Sequence, residues 1–565
     1  MKKSFILFDH VGASAQSALE QRIKGHIVDV VAHEIYDGEL IIKGDKIVNI
    51  KRHKLDNSKT WPYLLPGFID SHVHIESTML VPRQYALVAV SNGTIGVIAD
   101  AHEIGNVLGV EGVDFMIQNG QEATFNFLFG APSCVPALGG DFETSGAIIT
   151  ADEIERMMKR DDIAFLSEMM NYPGVLRGEQ EVMRKIRATL AAGKPVDGHA
   201  PALTFEELQQ YAATGITTNH ECSSLDEGRN NIKAGIKVII RDGSAAKDYE
   251  NLKPLISEHP DSVMFCSDDI TPDDLIQGQI DTIVKHALAD GYDLWNILQA
   301  ACVNPQKHYN VNWGLLQKGD PATFIALSNL TPHFHVENTF IRGQEVYNQN
   351  HPQTTNVSLS LYPNKFVAKA ITTADIALNM KPGDTMHIIH ATDGCLQTGH
   401  EEVEVTNPLT NLHYPWAEVQ KIVVLNRYKS GAKPVVGLIR GFDIKNGAIA
   451  SSVAHDCHNI VAIGSDDESI VKAINRIIEM QGGLVAVSPN EMLDLPLPIA
   501  GLMSPMSCNE VVPRSKQLHE MARAIGCSMH SPFVTMAFMC LSVIPDLKIT
   551  DRCLMDTKNM RIIKP

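Results

Sequence analysis

The sequence predicts an α/β protein built on a (β/α)8 barrel of the TIM type. Eight short apolar, β-branched runs recur along the first half of the chain, separated by stretches long enough for a helix. Alternating strand patterns lie on both sides of this region, and a further mixed segment follows it. We therefore expect the barrel, a small β-sheet domain built from both barrel flanks, and a C-terminal α+β domain.

The length of 565 residues is too great for one ordinary hydrophobic core. We expect the N-terminal part of the small β domain over 25–63 and the barrel over 64–310. The strands that complete the small domain should lie in 311–360, and the C-terminal α+β domain in 365–565.

The N-terminal flank alternates apolar and polar residues from Gly25 to Lys51, with turn signals at Asp37-Gly38 and Gly44-Asp45. This pattern predicts a small sheet. The eight apolar runs that follow predict the barrel strands, at 64–69, 94–99, 126–130, 163–169, 195–199, 216–219, 237–240 and 263–266. Apolar and polar residues alternate again at 323–327 and 339–347, where we expect the strands that complete the small sheet.

The C-terminal part carries strand-like runs at 422–426, 434–439 and 460–463. A helix is predicted next, because Ser465 and Glu468 have the spacing of a capping box and Ile470, Ile474, Ile477 and Ile478 share one helical face. The mixture of strands and helix indicates a separate α+β unit.

Composition excludes several classes of protein. A hydrophobic content of 44%, a charged content of 20% and a mean hydropathy of −0.05 are typical of a globular chain. The formal net charge of −18 repels polyphosphates, so we expect no nucleic-acid partner. No apolar run approaches the length of a membrane span, so no membrane partner is expected either.

Two features indicate a cytoplasmic protein. After Met1-Lys2-Lys3 the apolar stretch 5–8 ends at Asp9, which is short for a signal peptide. The ten cysteines are scattered singly without CxxC pairs, as expected for reduced thiols. A large anionic chain is compatible with a homodimer but does not require one.

The ends of the predicted barrel strands are strongly polar, and catalytic groups of such barrels lie at these ends. Because strand side chains alternate, His72 and His74 should project to the same side. Imidazoles and carboxylates from other strand ends join them, which gives a candidate metal-ligand set of His72, His74, Glu168, His199, His220 and Asp268.

This set is large enough for two divalent ions that share a bridging carboxylate. Water between two ions loses a proton near neutral pH and becomes a nucleophile. Asp268 is placed to accept that proton and pass it to a leaving group. Asp268 and Glu168, the two carboxylates of the set, are the predicted catalytic residues. A lone HxH motif or a lone acid at a strand end is commonly structural. The joint occurrence of four histidines and two carboxylates at five strand ends favours the metal site.

Other polar groups near the strand ends allow two interpretations. His102 and Glu103 either contact substrate or order their loop, and Arg241 is either a substrate-side group or an ion-pair partner of Asp242 at the rim. Glu221 joins these candidate substrate-binding residues. In the C-terminal part, the segment 455–458 (HDCH) lacks the spacing of a closed zinc site, so a structural or lid role is predicted for His455 and His458.

The segment 66–74 (PGFIDSHVH), followed by His199, His220 and Asp268, resembles the amidohydrolase superfamily. Many members bridge their metals with a carboxylated lysine on strand 4, where this chain has Glu168. That variation, with the segments 75–77 (IES), 197–201 (DGHAP), 218–222 (TNHEC) and 267–269 (SDD), resembles the bacterial adenine deaminase family. The segment 447–460 is similar to the C-terminal domain of that family.

The resemblance implies hydrolytic deamination of adenine, a small-molecule purine base, to hypoxanthine and ammonia by metal-activated hydroxide attack on C6. It also implies the six ligands named above and two divalent ions, manganese first, with iron or zinc as alternatives. Ala101 stands where the family has proline, and Asp242 where it has glutamate, so another aminopurine is an alternative substrate.

Two further alternatives stay open at this point. The same metals could hydrolyse a cyclic amide or N-acyl bond, because a fold does not specify its chemistry. A binding or regulatory protein with an inactive barrel is the alternative outside enzymes. The zinc site of the PCxxC nucleobase deaminases is excluded, because the chain has no PCxxC motif.

Overall fold

The structure is a computed structural model that describes residues 20–56, 58–351, 362–406 and 418–563. The N-terminal stretch 5–9, on which the signal-peptide expectation rests, and the predicted domain limit at residue 360 lie outside the described residues. Within these ranges, no helix is both long enough and apolar enough to cross a bilayer.

The N-terminal flank forms four strands: β1 (Glu20–Asp29), β2 (Glu34–Lys43), β3 (Lys46–His53) and β4 (Tyr63–Leu65). β2 pairs antiparallel with both β1 and β3, and β4 lies parallel to β1. The turn signal at Gly44 is used as predicted, because Gly44 has a positive φ of 63° between β2 and β3.

The eight barrel strands are β5 (Phe68–Val73), β6 (Thr94–Ala99), β7 (Asn126–Ala131), β8 (Phe165–Met169), β9 (Val196–Gly198), β10 (Thr218–Asn219), β11 (Lys237–Arg241) and β12 (Val263–Cys266). Neighbours pair in parallel within β5–β9 and within β10–β12. Parallel bridges between Val196 and Ile216 and between Val73 and Asp268 join the two sets. The predicted eight-stranded parallel barrel is therefore confirmed.

The first predicted barrel strand, 64–69, is wrong in its limits. The structure divides it at Pro66 and Gly67 into β4, which belongs to the small sheet, and β5, which belongs to the barrel. Pro66 has no amide hydrogen and cannot continue a strand ladder as a donor. As a result His72 lies inside β5 and His74 directly follows it.

Helices cover the outside of the barrel, as the predicted alternation requires. They are α1 (Pro82–Ser91), α2 (His102–Leu108), α3 (Val110–Gln121), α4 (Ala151–Met157), α5 (Tyr172–Arg177), α6 (Gln180–Ala191), α7 (Phe205–Ala213), α8 (Leu225–Lys233), α9 (Tyr249–Leu252), α10 (Leu255–Glu258), α11 (Pro272–Leu275), α12 (Ile280–Ala289), α13 (Leu294–Leu298) and α14 (Asn304–His308). Capping boxes begin α4 at Thr150 and α7 at Thr204, and in each the N3 glutamate returns the hydrogen bond.

After the barrel the chain returns to the small sheet in β13 (Phe324–Leu327), β14 (Val336–Ile341) and β15 (Gln344–Asn348). The seven strands lie in the order β15-β14-β13-β4-β1-β2-β3. Strands from both barrel flanks thus build one sheet, as predicted.

The C-terminal part contains an eight-stranded sheet in the order β17-β16-β19-β18-β21-β20-β22-β23 and a three-stranded sheet, β24-β25-β26. The strands are β16 (Thr385–His390), β17 (Gly399–Glu404), β18 (Val419–Leu425), β19 (Val435–Arg440), β20 (Ala448–Ser451), β21 (Ile460–Gly464), β22 (Gly483–Val487), β23 (Met492–Pro496), β24 (Leu547–Ile549), β25 (Leu554–Asp556) and β26 (Arg561–Ile563), with helices α15 (Asp467–Met480), α16 (Cys508–Ala524) and α17 (Pro532–Phe538). This mixture confirms the α+β prediction.

Helix α15 begins one residue later than predicted. Its cap is Asp466, whose carboxylate accepts a 2.7 Å hydrogen bond from Ser469 N, while the Ser465 hydroxyl lies against Gly447. The predicted capping box at Ser465 and Glu468 is therefore wrong. The predicted apolar face is confirmed, because Ile470, Ile474 and Ile477 are fully buried and Ile478 is partly buried against the same cluster.

The C-terminal part packs directly on the barrel, and one continuous hydrophobic core includes side chains of both. Polar contacts reinforce the junction. Ser542 Oγ donates to the buried Glu143 carboxylate at 2.7 Å, and Thr144 N donates to Asp551 at 2.8 Å. The C-terminal part thereby covers the loop that follows β7 at the carboxyl end of the barrel.

Candidate metal centre

The closure of the barrel brings the ends of β5 and β12 together. Asp268 N donates to His72 O at 3.0 Å, and His74 N donates to Asp268 O at 3.3 Å. Asp268 itself has a φ of 53°, in the left-handed region that a non-glycine residue seldom occupies. The backbone directly after β12, the last barrel strand, is thus bent so that the Asp268 side chain faces the two histidines.

The imidazoles of His72 and His74 lie side by side, with their Nε2 atoms 3.1 Å apart. Asp268 Oδ1 lies 3.1 Å from His74 Nε2 and 3.7 Å from His72 Nε2. All three side chains are buried. The His72 ring also stacks on the His220 ring at a centroid distance of 4.0 Å.

Glu168, at the end of β8, divides its two carboxylate oxygens between two pairs of histidines. Oε1 lies 3.3 Å from His74 Nε2 and 3.8 Å from His72 Nε2. Oε2 lies 2.6 Å from His199 Nδ1 and 3.2 Å from His220 Nε2. This is the arrangement that a carboxylate bridging two cations needs. The structure thus brings all six predicted ligands to one place.

The charges of the cluster favour the binding of cations. Burial alone would raise the pKa of Glu168, but hydrogen bonds from His199, His220 and His74 hold that pKa well below its ordinary value. Burial also disfavours a charged His74, yet Asp268 and Glu168 raise the His74 pKa well above 6.5. Two ionised carboxylates in a buried site thus draw positive charge, which a divalent ion can supply in place of a proton.

The ligand atoms lie close enough to surround ions. Three overlapping sets each have all their candidate ligand atoms within 4.8 Å of one another: His72, His220 and Asp268; Glu168, His199 and His220; and His74, Asp100, His102 and Glu168. Mixed nitrogen and oxygen donors of this kind suit manganese, iron and zinc.

Asp100, at the end of β6, was missed in the sequence analysis as a member of this cluster. Its Oδ2 lies 3.3 Å from His102 Nδ1, yet both atoms are buried without a hydrogen bond. His102 Nδ1 is also 3.4 Å from Glu168 Oε1. Buried polar atoms without partners fit a site that receives a cation. The position of Asp100 at a strand end was the available signal.

Arg241 is buried beside the cluster and is ion-paired with three carboxylates. Its Nη1 lies 2.9 Å from Asp268 Oδ2, its Nε lies 2.7 Å from Asp248 Oδ2, and its Nη2 lies 3.1 Å from Glu221 Oε2. Glu221 Oε1 is in turn 3.6 Å from His220 Nε2. The alternative of a rim ion pair between Arg241 and Asp242 is wrong.

Asp242 points elsewhere, because its Oδ2 lies 3.5 Å from His286 Nδ1. Ala101, the other departure from the family pattern, is buried directly before α2. Neither side chain contributes a polar atom to the cluster described above.

Glu103 lies in the first turn of α2, next to His102, and its carboxylate contacts the C-terminal part. His455 Nδ1 lies 2.6 Å from Glu103 Oε1, and His458 Nε2 contacts Glu103 Oε2. The predicted structural or lid role for His455 and His458 did not include such a contact. The C-terminal part thus touches a side chain adjacent to the metal cluster.

Comparison with known proteins gives two matched regions. Residues 63–346 match the amidohydrolase family, and residues 396–561 match the adenine deaminase C-terminal domain. Curated relatives named adenine deaminase include those of Salinibacter ruber (45% identity over 94% of this chain and 97% of the relative), Methanosarcina barkeri (42%, 96% and 99%) and Borreliella burgdorferi (39%, 95% and 98%).

The solved structures that match are less similar to this chain in sequence than these relatives are. A β-aspartyl dipeptidase from Fervidobacterium islandicum AW-1 matches with a TM-score of 0.45 and 16% identity, over 60% of this chain and all of that chain. An adenosine deaminase from Xanthomonas campestris with bound zinc matches with a TM-score of 0.43 and 14% identity, over 59% of this chain and 94% of that chain.

Proposed function

The chain belongs to the adenine deaminase family of the amidohydrolases, and on this premise we propose that it deaminates adenine to hypoxanthine and ammonia. One structural observation carries the proposal: Glu168 presents one carboxylate oxygen to His72 and His74 and the other to His199 and His220. The family match is the basis for proposing adenine as the substrate. The geometry around Glu168 is the basis for proposing where the reaction takes place.

We propose that these five residues and Asp268 hold two divalent ions, with Glu168 between them. Manganese is the proposed metal, with iron and zinc as alternatives. When bound, such ions make water a nucleophile at neutral pH and stabilise charge that develops on the substrate.

Asp268 moves the proton in this proposal. Burial would raise its pKa, but His74, His220 and Arg241 hold that pKa well below the ordinary value, so Asp268 is ionised and can accept a proton. The water oxygen bonds to C6 and the bond from C6 to the amino nitrogen breaks. One water proton leaves with that nitrogen as ammonia through Asp268, and the other ends on N1 of hypoxanthine.

His102, Glu103, Glu221 and Arg241 form the proposed substrate side. Glu103 and His102 lie against the cluster on the β6 side, and Glu221 lies against it on the β10 side. Arg241 is engaged by three carboxylates, so its contribution is to fix Glu221 and Asp268.

We also propose a cytoplasmic location, which the free thiols of all ten cysteines support. The proposed partner is a small purine base.

A substrate panel with the protein reconstituted separately with manganese, iron and zinc tests the proposal. Adenine, two other aminopurines and a cyclic amide are incubated and released ammonia is measured, together with ring opening of the amide. We expect ammonia from adenine. Turnover of another aminopurine or of the cyclic amide in place of adenine would reassign the substrate. No turnover and no bound metal would favour a binding protein with an inactive barrel.

A further inference from the structure

The contact between Glu103 and two histidines of the C-terminal part has no role in the function proposed so far. The loop 452–459 connects β20 to β21 and reaches the barrel at α2. His458 and Glu103 are 355 residues apart in sequence, and both side chains are buried. The folding of the C-terminal part onto the barrel is what brings this contact about.

The tautomer of His458 follows from its neighbours. Burial lowers its pKa, which favours the neutral ring. Its Nδ1 accepts a 3.3 Å hydrogen bond from Ala454 N, so the ring proton is on Nε2. His458 therefore donates Nε2–H to Glu103.

His455 supplies the second donor. Its Nδ1 lies 2.6 Å from Glu103 Oε1, a distance at which a ring N–H donates to a carboxylate oxygen. Burial disfavours its charged form, but the neighbouring Glu103 carboxylate raises the pKa of His455 well above 6.5. One face of the ring is stacked on the Phe538 ring, at a centroid distance of 4.3 Å and an interplanar angle of 19°. The ring is fixed by stacking as well as by the ion pair.

The loop that carries both histidines is held by hydrogen bonds to its main chain. Within the loop, His458 N donates to Ala454 O at 2.7 Å. Two bonds fasten it to other segments: His455 N donates to Ala537 O at 3.2 Å, and Tyr428 OH donates to Cys457 O at 2.7 Å. A loop held in this way can keep a carboxylate in one orientation.

The imidazole ring of His102 lies between the carboxylates of Glu103 and Glu168. His102 Nε2 is 3.5 Å from Glu103 Oε1, and His102 Nδ1 is 3.4 Å from Glu168 Oε1. The His455 and His458 contacts use one donor for each Glu103 oxygen, and a carboxylate oxygen can accept more than one hydrogen bond. Glu103 thus keeps acceptor capacity near the reaction site.

We propose that His455 and His458 are positioning residues that hold the Glu103 carboxylate in place to accept a hydrogen bond from an N–H of the purine base. The C-terminal part thereby completes the substrate site of the barrel. This inference rests on the proposed function, because a purine offers the N–H donors that an anionic acceptor recognises.

A matched pair of substitutions at His458 isolates the donor. Gln resembles Met in size and can place an N–H where Nε2–H lies, whereas Met cannot donate. We expect His458→Met to lower kcat/KM for adenine about 10- to 100-fold, the range for losing a fixed charged hydrogen bond, and His458→Gln to restore most of it. His455 donates through Nδ1, so the equivalent pair there is His455→Asn, which keeps an N–H donor, and His455→Leu, which has none.

A double-mutant cycle separates positioning from general support of the fold. If His458 acts through Glu103, His458→Met should have little further effect on kcat/KM once Glu103→Gln is present. A purely structural residue would give additive losses. The dissociation constant of hypoxanthine, measured by calorimetry, should follow the same non-additive pattern.

Bound manganese and the melting temperature are measured for every variant. We expect the same metal content in His458→Met as in the unmodified protein. Additive losses, equal effects of Met and Gln with full folding, or loss of a metal equivalent would overturn the inference, the last by assigning Glu103, His455 and His458 to a metal site. Absence of adenine turnover in the unmodified, fully metallated protein would instead refute the proposed function, and the two failures are therefore distinguishable.

Discussion

Arg241 and Asp268 form a buried ion pair, with Arg241 Nη1 2.9 Å from Asp268 Oδ2. The other oxygen of Asp268 faces His74. One side of the carboxylate is thus anchored to a permanent cation while the other faces the proposed metal centre. The proposed proton shuttle therefore has a fixed orientation and a low pKa.

The first prediction concerns this anchor. Arg241→Met removes one of the groups that, with His74 and His220, lower the pKa of Asp268, so the acid limb of the pH profile for kcat/KM should move to higher pH. It also leaves three buried carboxylates without their partner, so the melting temperature should fall. Arg241→Lys keeps the charge and is the control. An acid limb that stays in place in Arg241→Met would contradict the role assigned to the pair.

The second prediction concerns the shuttle itself. Asp268→Asn keeps the shape of the side chain but cannot take a proton at neutral pH, so kcat should fall by about 100-fold to 10,000-fold. The fold and most of the bound metal should remain, since the other five proposed ligands are intact. Steady-state kinetics and metal analysis of the same preparation check this. Unchanged kcat would remove Asp268 from the mechanism.

The third prediction concerns the bridge. Glu168→Gln removes the negative charge between the two histidine pairs, so metal content should fall by at least one equivalent per chain. Glu143→Gln is the matched control, because Glu143 is also a buried carboxylate but binds Ser542 in the C-terminal part. Metal analysis after dialysis against metal-free buffer compares the two. Full metal content in Glu168→Gln would mean that another group forms the bridge.

The fourth prediction concerns stability and pH, at a site away from the metal centre. Burial lowers the pKa of the Lys548 ammonium from 10.5 to about 7, and its Nζ donates to Leu396 O and Phe538 O. Between these two pH values the unfolded chain binds a proton that the folded chain does not. The neutral Lys548 side chain therefore makes its full contribution to the free energy of unfolding above pH 10.5. This contribution falls as the pH is lowered from 10.5 and is lost below about 7.

Lys548→Met abolishes this dependence. Relative to that variant, the unfolding free energy of the unmodified protein should rise by about 1.4 kcal/mol per pH unit within the window. Urea denaturation at pH 7.5, 8.5 and 9.5 measures the difference, with Lys558→Met, at an exposed position, as control. Parallel pH curves for the unmodified protein and Lys548→Met would refute the assignment.

Local patterns in the sequence were sufficient to predict where the barrel strands lie, apart from the limits of the first one, β5. The run 94–99 coincides with β6 and the run 263–266 with β12, because short β-branched runs buried on both faces carry their signal locally. The polar residues after these runs predicted which side chains would converge, since barrel closure places all strand ends on one rim. The same argument did not include Asp100, whose membership depends on how its side chain turns toward His102.

Competing local signals and long-range docking could not be predicted. Ser465 and Asp466 are adjacent residues that both favour a helix cap, and only the bond to Ser469 N decides between them. The pairing of Asp242 with His286 in place of Arg241 depends on the packing of α12. The contact of His458 with Glu103 requires the C-terminal loop to dock on the barrel, and no local periodicity encodes that docking.

The most direct test of the dinuclear centre is a titration of metal-free protein with manganese, with ammonia release from adenine measured at each step. The structure predicts that activity rises with added metal and reaches its maximum at two equivalents per chain, because Glu168 serves two pairs of histidines. Full activity in the metal-free protein, or a maximum at one equivalent, would contradict the account.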